Sequence, residues 1–382
     1  MESVAKYIII SLILWLLSAS CGSRPMGEDR KGKYVKDVDL DNLSSPSFND
    51  YFSKLEIIPL ELSNETLVQD VFGQIWCNNK LYILDQKQKV VFIFDQEGNF
   101  IQKIDKYGNG PGEYTDLVDF QLNRFTGDLE LLSPMGGILK YDSLGNVFKG
   151  YIHLPPTVGA VHQFSAVSPD VYLYFSEARE GNKIIAYDIK KDIIISEFYD
   201  KPNFVFFSTL YHHTYSPFYI FENKVHFVQA YNGDVFTFED GDLSPKYLWN
   251  FGKYNFEITD LEENKDVPYY LEHYRTIGSK YATIFIAYVE NSKYYVTQFS
   301  FQKKMCTLIH DKKNNCSTVF NSFKEGHRLI PTNIDESTIC FLAEPRTLAI
   351  VINRDELSEE NQRVYDSIDP ESNPVILKYT LK

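Results

Sequence analysis

The sequence predicts an all-β fold, a closed ring of repeated four-stranded antiparallel sheets, and three observations carry that prediction. Short apolar runs alternate with polar turns. Leu81–Leu84, Val90–Phe94 and Phe100–Ile104 are the clearest, the first two closed by Asp85 and Asp95, with a Glu97-Gly98-Asn99 turn before the third. Runs of that length, parted by short polar turns, read as an antiparallel meander. The pattern recurs with an aromatic–acid pair as its ruler: Phe94-Asp95, Tyr141-Asp142, Tyr187-Asp188 and Phe238-Glu239 lie 47, 46 and 51 residues apart. That spacing is the period of a propeller blade. Composition agrees, since 27 Tyr and 28 Phe stand against 4 Met and 3 Trp, a bias toward rings that pack between flat β surfaces.

In chain order, Phe52–Leu62 reads as a strand, and the first meander follows it. Similar units recur at Asp128–Ser133 with Ile138–Asp142, at Val171–Ser176 with Ile184–Asp188, and at Val225–Ala230 with Val235–Glu239. A fifth is expected as Thr283–Tyr288, Tyr294–Phe299, Met305–Ile309 and Ser317–Phe320, and a sixth as Leu329–Ile334, Thr338–Ala343 and Pro374–Leu381. Residues 252–280 and 353–372 break the period and read as insertions. The second holds a candidate helix at Asp355–Ile368, with an acidic start and apolar Leu357, Val364, Tyr365 and Ile368. With both set aside, six blades is the better count and seven the alternative. The sixth unit lacks an outer strand and Phe52–Leu62 is spare. The expectation is therefore a six-bladed β-propeller whose N- and C-terminal strands share one blade, because an open ring would leave unpaired faces.

Leu81-Tyr82-Ile83-Leu84-Asp85, Val91-Phe92-Ile93-Phe94-Asp95 with Gly98-Asn99, and the loop Gly108-Asn109-Gly110-Pro111-Gly112-Glu113-Tyr114 resemble one NHL-type propeller repeat. The stretch is more similar still to bacterial six-bladed β-propeller lipoproteins of uncharacterised function, which carry a like Gly-Pro-Gly-Glu-Tyr loop after the first blade. The resemblance covers roughly residues 67–123 and implies fold far more than activity, since propellers host binding, scaffolding and catalysis alike.

At the N-terminus, Lys6 precedes the apolar run Tyr7–Leu17, then Ser18-Ala19-Ser20 leads into Cys21. The run is too short to span a bilayer, which takes about 20 apolar residues, and reads as an export signal. Either Cys21 becomes a lipidated N-terminus, with Ser18 where a lipobox usually has leucine, or an ordinary signal peptidase cuts after Ser20. The favoured organisation is a signal peptide over residues 1–20, a lipidated tether over 21–50 and a propeller over 51–382, placed in the bacterial cell envelope at the outer membrane. A net charge of −14 without a Lys/Arg cluster excludes nucleic acid as a partner, which would need a basic patch.

Sites are harder to read. Cys306 and Cys316 could face each other across a hairpin and form a disulfide. No Cys or His spacing suggests zinc, and no cofactor is expected. The loop of Gly108, Gly110, Pro111, Gly112 and Tyr114 is a poor phosphate cradle: Pro111 has no N–H to give and no lysine or helix follows. It reads as a sharp crossing with Tyr114 packed between blades. Asp85, Asp95, Asp142 and Asp188 recur blade by blade, which fits carboxylates capping turns. The long, aromatic crossings 201–216 and 252–280 supply a candidate contact set, Tyr211, His212, His213, Tyr269, Tyr270 and His273.

These features favour a monomeric, non-enzymatic module that binds a protein or glycan through its crossing-loop face. The rival is an enzyme similar to six-bladed lactonases or NHL-type lyases with a metal on the central axis. The inner strands expected near Phe72, Asp119, Gln163, Phe218, Thr283 and Ile330 are sparse in carboxylates, which favours binding.

Overall fold

Strands that are buried on both faces explain the near-continuous apolar runs, and the computed structural model shows how. It describes residues 32–133, 137–176, 182–200, 216–229, 231–257, 262, 265 and 267–382. In the strand Val90–Asp95, Val91 and Ile93 point into one cluster with Phe72, Tyr82 and Tyr141, whereas Phe92 and Phe94 point into another with Leu81, Ile83 and Ile376. Alternation is present, but both sides are core.

Six four-stranded antiparallel blades form a ring, a β-propeller. From inner to outer strand, blade one is Val71–Cys77, Lys80–Asp85, Val90–Asp95 and Phe100–Ile104, and blade two is Asp119–Leu122, Leu129–Ser133, Gly137–Tyr141 and Phe148–His153. Blade three is Gln163–Ala166, Val171–Phe175, Asn182–Asp188 and Ile193–Asp200; blade four is Phe218–Phe221, Lys224–Val228, Val235–Glu239 and Asp242–Asn250, and its sheet takes a short fifth strand outside Asp242–Asn250. Blade five is Tyr288–Glu290, Tyr294–Phe301, Lys304–Asp311 and Cys316–Phe320. Blade six takes Asn333–Ile334, Thr338–Ala343 and Val375–Leu381 from the C-terminal part of the chain and Phe52–Pro59 from the N-terminal part. The closing pair runs in register from Phe52↔Leu381 to Pro59↔Val375 with one irregularity near Phe52. The hydrophobic core is correspondingly divided into seams, one cluster between each pair of neighbouring blades. A seventh, smaller cluster gathers Tyr231, Phe256 and Ile277.

The ruler aspartates close turns by accepting backbone N–H bonds. Asp95 Oδ1 accepts from Glu97 and Asn99, Asp142 Oδ1 from Val147 at 2.7 Å, and Asp188 Oδ1 from Lys190 and Lys191. The outer edge of blade six is covered as well. Helix Glu359–Ser367, shorter than the expected 355–368 and capped by Ser358, lays Asn361 against that strand. Its amide donates to Leu55 O at 2.6 Å and accepts from Ile57 N at 3.3 Å, so the strand does not end as an open template.

Three expectations need correction. The tether was expected to run through residue 50, but Lys36–Lys382 forms one compact unit. Val38 N donates to Asn250 O, Ser44 N to Val319 O, and Ser47 Oγ to Glu325 Oε1, while Val38, Leu40 and Phe48 are buried. Residues 36–50 thus strap the outer edges of blades four to six. The first strand of blade five is Tyr288–Glu290 rather than Thr283–Tyr288, because Ile284 at φ +57° interrupts the extended run after the Thr283–Ser300 bridge. The insertion at 252–280, for which no element is expected from the sequence, contains a helix, Val267–Lys280.

Candidate functional site

Chain direction around each blade sorts the loops into two faces. Crossings between blades and the loops from second to third strands open on one face; first-to-second and third-to-fourth turns open on the other. Of the expected contact set, only part falls within the described residues. Tyr211, His212 and His213 fall outside the described residues, as do the side chains of Tyr270 and His273. Tyr269 is half-buried: its ring packs against the Tyr231, Phe256 and Ile277 cluster, and its hydroxyl accepts from Glu262 N at 3.2 Å.

Tyr114 is buried in the seam between blades one and two, its hydroxyl donating to Ile104 O. The loop around it is clipped by Gly108 N to Tyr114 O at 2.9 Å and Gly110 N to Glu113 Oε2 at 2.7 Å. Gly112 sits at φ +75°, where a Cβ would meet the Phe148 ring at 2.7 Å, so glycine is required there.

The disulfide expected between Cys306 and Cys316 is not formed, and both thiols are free. Strand register gives the reason. Cys316 stands opposite Asp311 beside the turn, whereas Cys306 lies beyond the Thr307↔Phe320 pair at the far end of the hairpin. Asn321 Nδ2 reaches Cys306 Sγ instead, at 3.1 Å.

The buried carboxylates already have partners. In the seam between blades four and five, Glu290 accepts from Lys246 Nζ at 2.7 Å, Lys312 Nζ at 2.6 Å, Tyr219 Oη at 2.6 Å and Tyr247 Oη at 2.8 Å. Burial raises its pKa, but the two lysines outweigh that and hold it below the usual range. Lys246 also approaches His226 Nε2 at 3.2 Å; burial drives that imidazole down to about 4, so it stays neutral near pH 7. Between blades two and three, Glu130 accepts from Tyr172 and from the Asn123 and Gln121 amides. Among the described residues no three His, Cys, Asp or Glu side chains converge as a metal site.

A cleft opens at the closing seam, between blades six and one, on the face opposite the crossings. It encloses about 480 Å³, within the range of small-molecule sites of about 300–1,000 Å³. Trp76, Cys77, Cys340 and Ile376 are among the residues lining it, with Asn78, Asn79, Gln96, Asn333, Lys80 and Lys378. Local structure dictates the placement. Asn78 and Asn79, at φ +51° and +59°, make the tight turn joining Cys77 to Lys80, a conformation asparagine tolerates well. Asp335 fixes the facing turn by accepting from Ser337 N, Ser337 Oγ, Thr338 N and Thr338 Oγ1. Trp76 Nε1 donates to Gln74 Oε1 at 3.3 Å. Burial pushes the Cys340 thiol up to about 11 and raises Cys77, with Lys80 only partly opposing the second shift. Both remain thiols at neutral pH and are poor nucleophiles. The cleft escaped sequence reading because its walls come from residues 76–96 and 333–378, which no local pattern joins.

Fold and cleft together define a six-bladed propeller with a polar recess at its seam of closure. The chain belongs to a family described as a domain of unknown function (DUF4934), which it matches over residues 33–380. No curated protein matches it. It is similar to the solved structure of a Bacteroides fragilis protein described as exported, at 16% identity and a TM-score of 0.73, covering 91% of this chain and 99% of that one. A DUF4221 family member from Bacteroides vulgatus is also similar, at 12% identity and a TM-score of 0.48, covering 87% and 97%. The likeness to the B. fragilis protein is one of fold.

Proposed function

We propose that the protein is an exported, lipid-anchored module of the bacterial cell envelope that binds a polar ligand in the seam cleft without transforming it. One observation carries the binding site. Asn78, Asn79 and Asn333 line the cleft and, among the described residues, their side-chain amides make no hydrogen bond within the protein. Amides offer donors and acceptors together, and beside the Trp76 indole they suit a hydroxylated ring such as a sugar. The protonated thiols and the fully engaged carboxylates supply no obvious base or nucleophile there. Tyr269, packed inward, moves the reading from the crossing face to the opposite one. Export and anchoring rest on the Lys6-to-Leu17 run and Cys21.

Two measurements test this. Melting temperature is recorded with a panel of mono- and disaccharides, since a ligand of the folded state stabilises by RT ln(1 + [L]/Kd). A raised melting temperature with the sugar recovered intact is expected; no shift across the panel removes the binding site, and a converted sugar makes the protein an enzyme. Metabolic labelling with a fatty acid should mark the wild type and not Cys21→Ala, and equal label in both defeats the anchor.

A further inference from the structure

Resting on that reading of the cleft, we infer that its ligand is a galacto-configured pyranose, a sugar whose axial hydroxyl leaves one ring face apolar and makes the other polar. Strand register carries this. On blade six, Asn333, Cys340 and Lys378 stand side by side on three neighbouring strands. Their neighbours in sequence, Ile334, Ile339, Phe341, Leu377 and Tyr379, pack into the seam with blade five, so alternation turns the row toward blade one. On blade one, Trp76, Leu81 and Phe94 form a row of their own, and all three join the closing-seam cluster with Ile376. Trp76 and the whole polar row line the cleft.

The two walls do not match each other. One offers the half-buried Trp76 indole, whose Nε1 is already given to Gln74 Oε1 at 3.3 Å, so the face of the ring is what remains for contact. The other offers an amide, a thiol and an ammonium; burial raises the Cys340 thiol, and the Lys378 charge stands close enough to offset part of that. One step along the same face of blade six, Leu342 beside Ile376 is apolar and packs against blade one. The polar row therefore begins where the packed core ends. A flat aromatic guest, or a pyranose with every hydroxyl equatorial, shows C–H or π surface on both faces and would bury the polar row without partners, which is costly. A galacto-configured ring satisfies both walls. Its C–H face lies on the indole, and its axial hydroxyl, donor and acceptor together, meets the Asn333 amide and Lys378. A recess of about 480 Å³ admits such a ring.

The test is calorimetric titration of the full mature protein with methyl β-galactoside and with methyl β-glucoside, its epimer at the carbon bearing the axial hydroxyl. The galactoside should bind about 10-fold more tightly or better, as expected when the wrong epimer leaves one buried polar group unpaired. Asn333→Ala/Lys378→Met removes the polar row while keeping an apolar stem at 378; it should melt near the wild type and bring the galactoside down to the affinity of the glucoside, with the glucoside unchanged. Trp76→Ala should weaken both sugars alike, and Trp76→Phe should keep the preference. Fluorescence adds an independent readout. Trp249 is buried with its Nε1 on Gly233 O, so a blue shift on adding galactoside reports Trp76 and should be absent from Trp76→Phe. Equal affinity of the wild type for the two epimers, a preference for the glucoside, or a polar-row variant that still favours the galactoside overturns the inference and leaves the cleft as a sugar site. Binding of neither epimer overturns it too, and the wider saccharide panel then decides the site itself.

Discussion

Glu290 and Lys312 meet at 2.6 Å across a carboxylate that also receives Lys246, and both ammonium groups lie over the Phe221 ring, 3.8 Å from its centre for Lys312 and 4.7 Å for Lys246. The arrangement pins blade four to blade five. Glu290→Gln should cost about 3 kcal/mol, the low end for a broken buried pair because both lysines still reach solvent. It should also change the response to acid. A carboxylate whose folded pKa is depressed contributes stability fully above its unfolded value of about 4.3 and loses it as pH falls through the lower folded value. Wild-type stability should therefore drop steeply below pH 4.5, and the variant's drop should be shallower, as read by denaturant melts from pH 7 to 3.

Asp119 has the opposite sign. Its Oδ2 accepts from Phe164 N at 3.0 Å, linking the inner strands of blades two and three, and burial raises the carboxyl to about 7. Stability from a raised group is fully present below the unfolded value of about 3.9 and is lost as pH rises through the folded one. Asp119→Asn keeps the acceptor without the charge. It should exceed the wild type by on the order of 1–2 kcal/mol at pH 8, and the difference should vanish near pH 4. Asp234, also raised to about 7 while accepting from Trp249 N, should respond likewise to Asp234→Asn.

Ring closure can be tested at Gly98, whose φ is +86° and where a Cβ would stand 2.4 Å from the Pro59 carbonyl oxygen of the closing strand. Gly98→Ala combines backbone strain with a clash and should cost about 2–3 kcal/mol. Gly127, at φ +72° with nothing within 4 Å, supplies the comparison; Gly127→Ala should cost only about 1 kcal/mol. Deleting residues 52–62 should abolish a single cooperative transition in calorimetry.

The free thiols make a simple prediction. Cys316 is exposed, Cys77 is half-buried, and Cys306 and Cys340 are buried. A thiol reagent on the native protein should label Cys316 first and Cys306 and Cys340 only after unfolding. Reductant should leave the melting temperature unchanged.

Much of the fold was legible because the blade repeats its own chemistry. Each ruler aspartate caps a turn, and each double-sided strand reads as an unbroken apolar run such as Val90–Phe94. Helix Val267–Lys280 was not legible: Tyr269, Tyr270 and Tyr274 favour helix weakly, and the hydrophobic stripe that would mark it is irregular. Residues 36–50 read as tether because Val38, Leu40 and Phe48 bury singly along blade edges, without period. The seam cleft and the Glu290 cluster join residues from separate blades, so only the ring brings them together.

The pairing of Phe52–Pro59 with Val375–Leu381 also bears on how the chain is made. A ribosome delivers the first of these strands more than 300 residues before its partner, so that strand waits single, exposing Phe52, Leu55 and Ile57, until Val375–Leu381 has been made. Contacts so distant in sequence form late and slowly, and an unpaired apolar edge invites mispairing while it waits. The last wedge of the ring therefore sets the pace of maturation, and the recess that it walls cannot exist before Val375–Leu381 has paired.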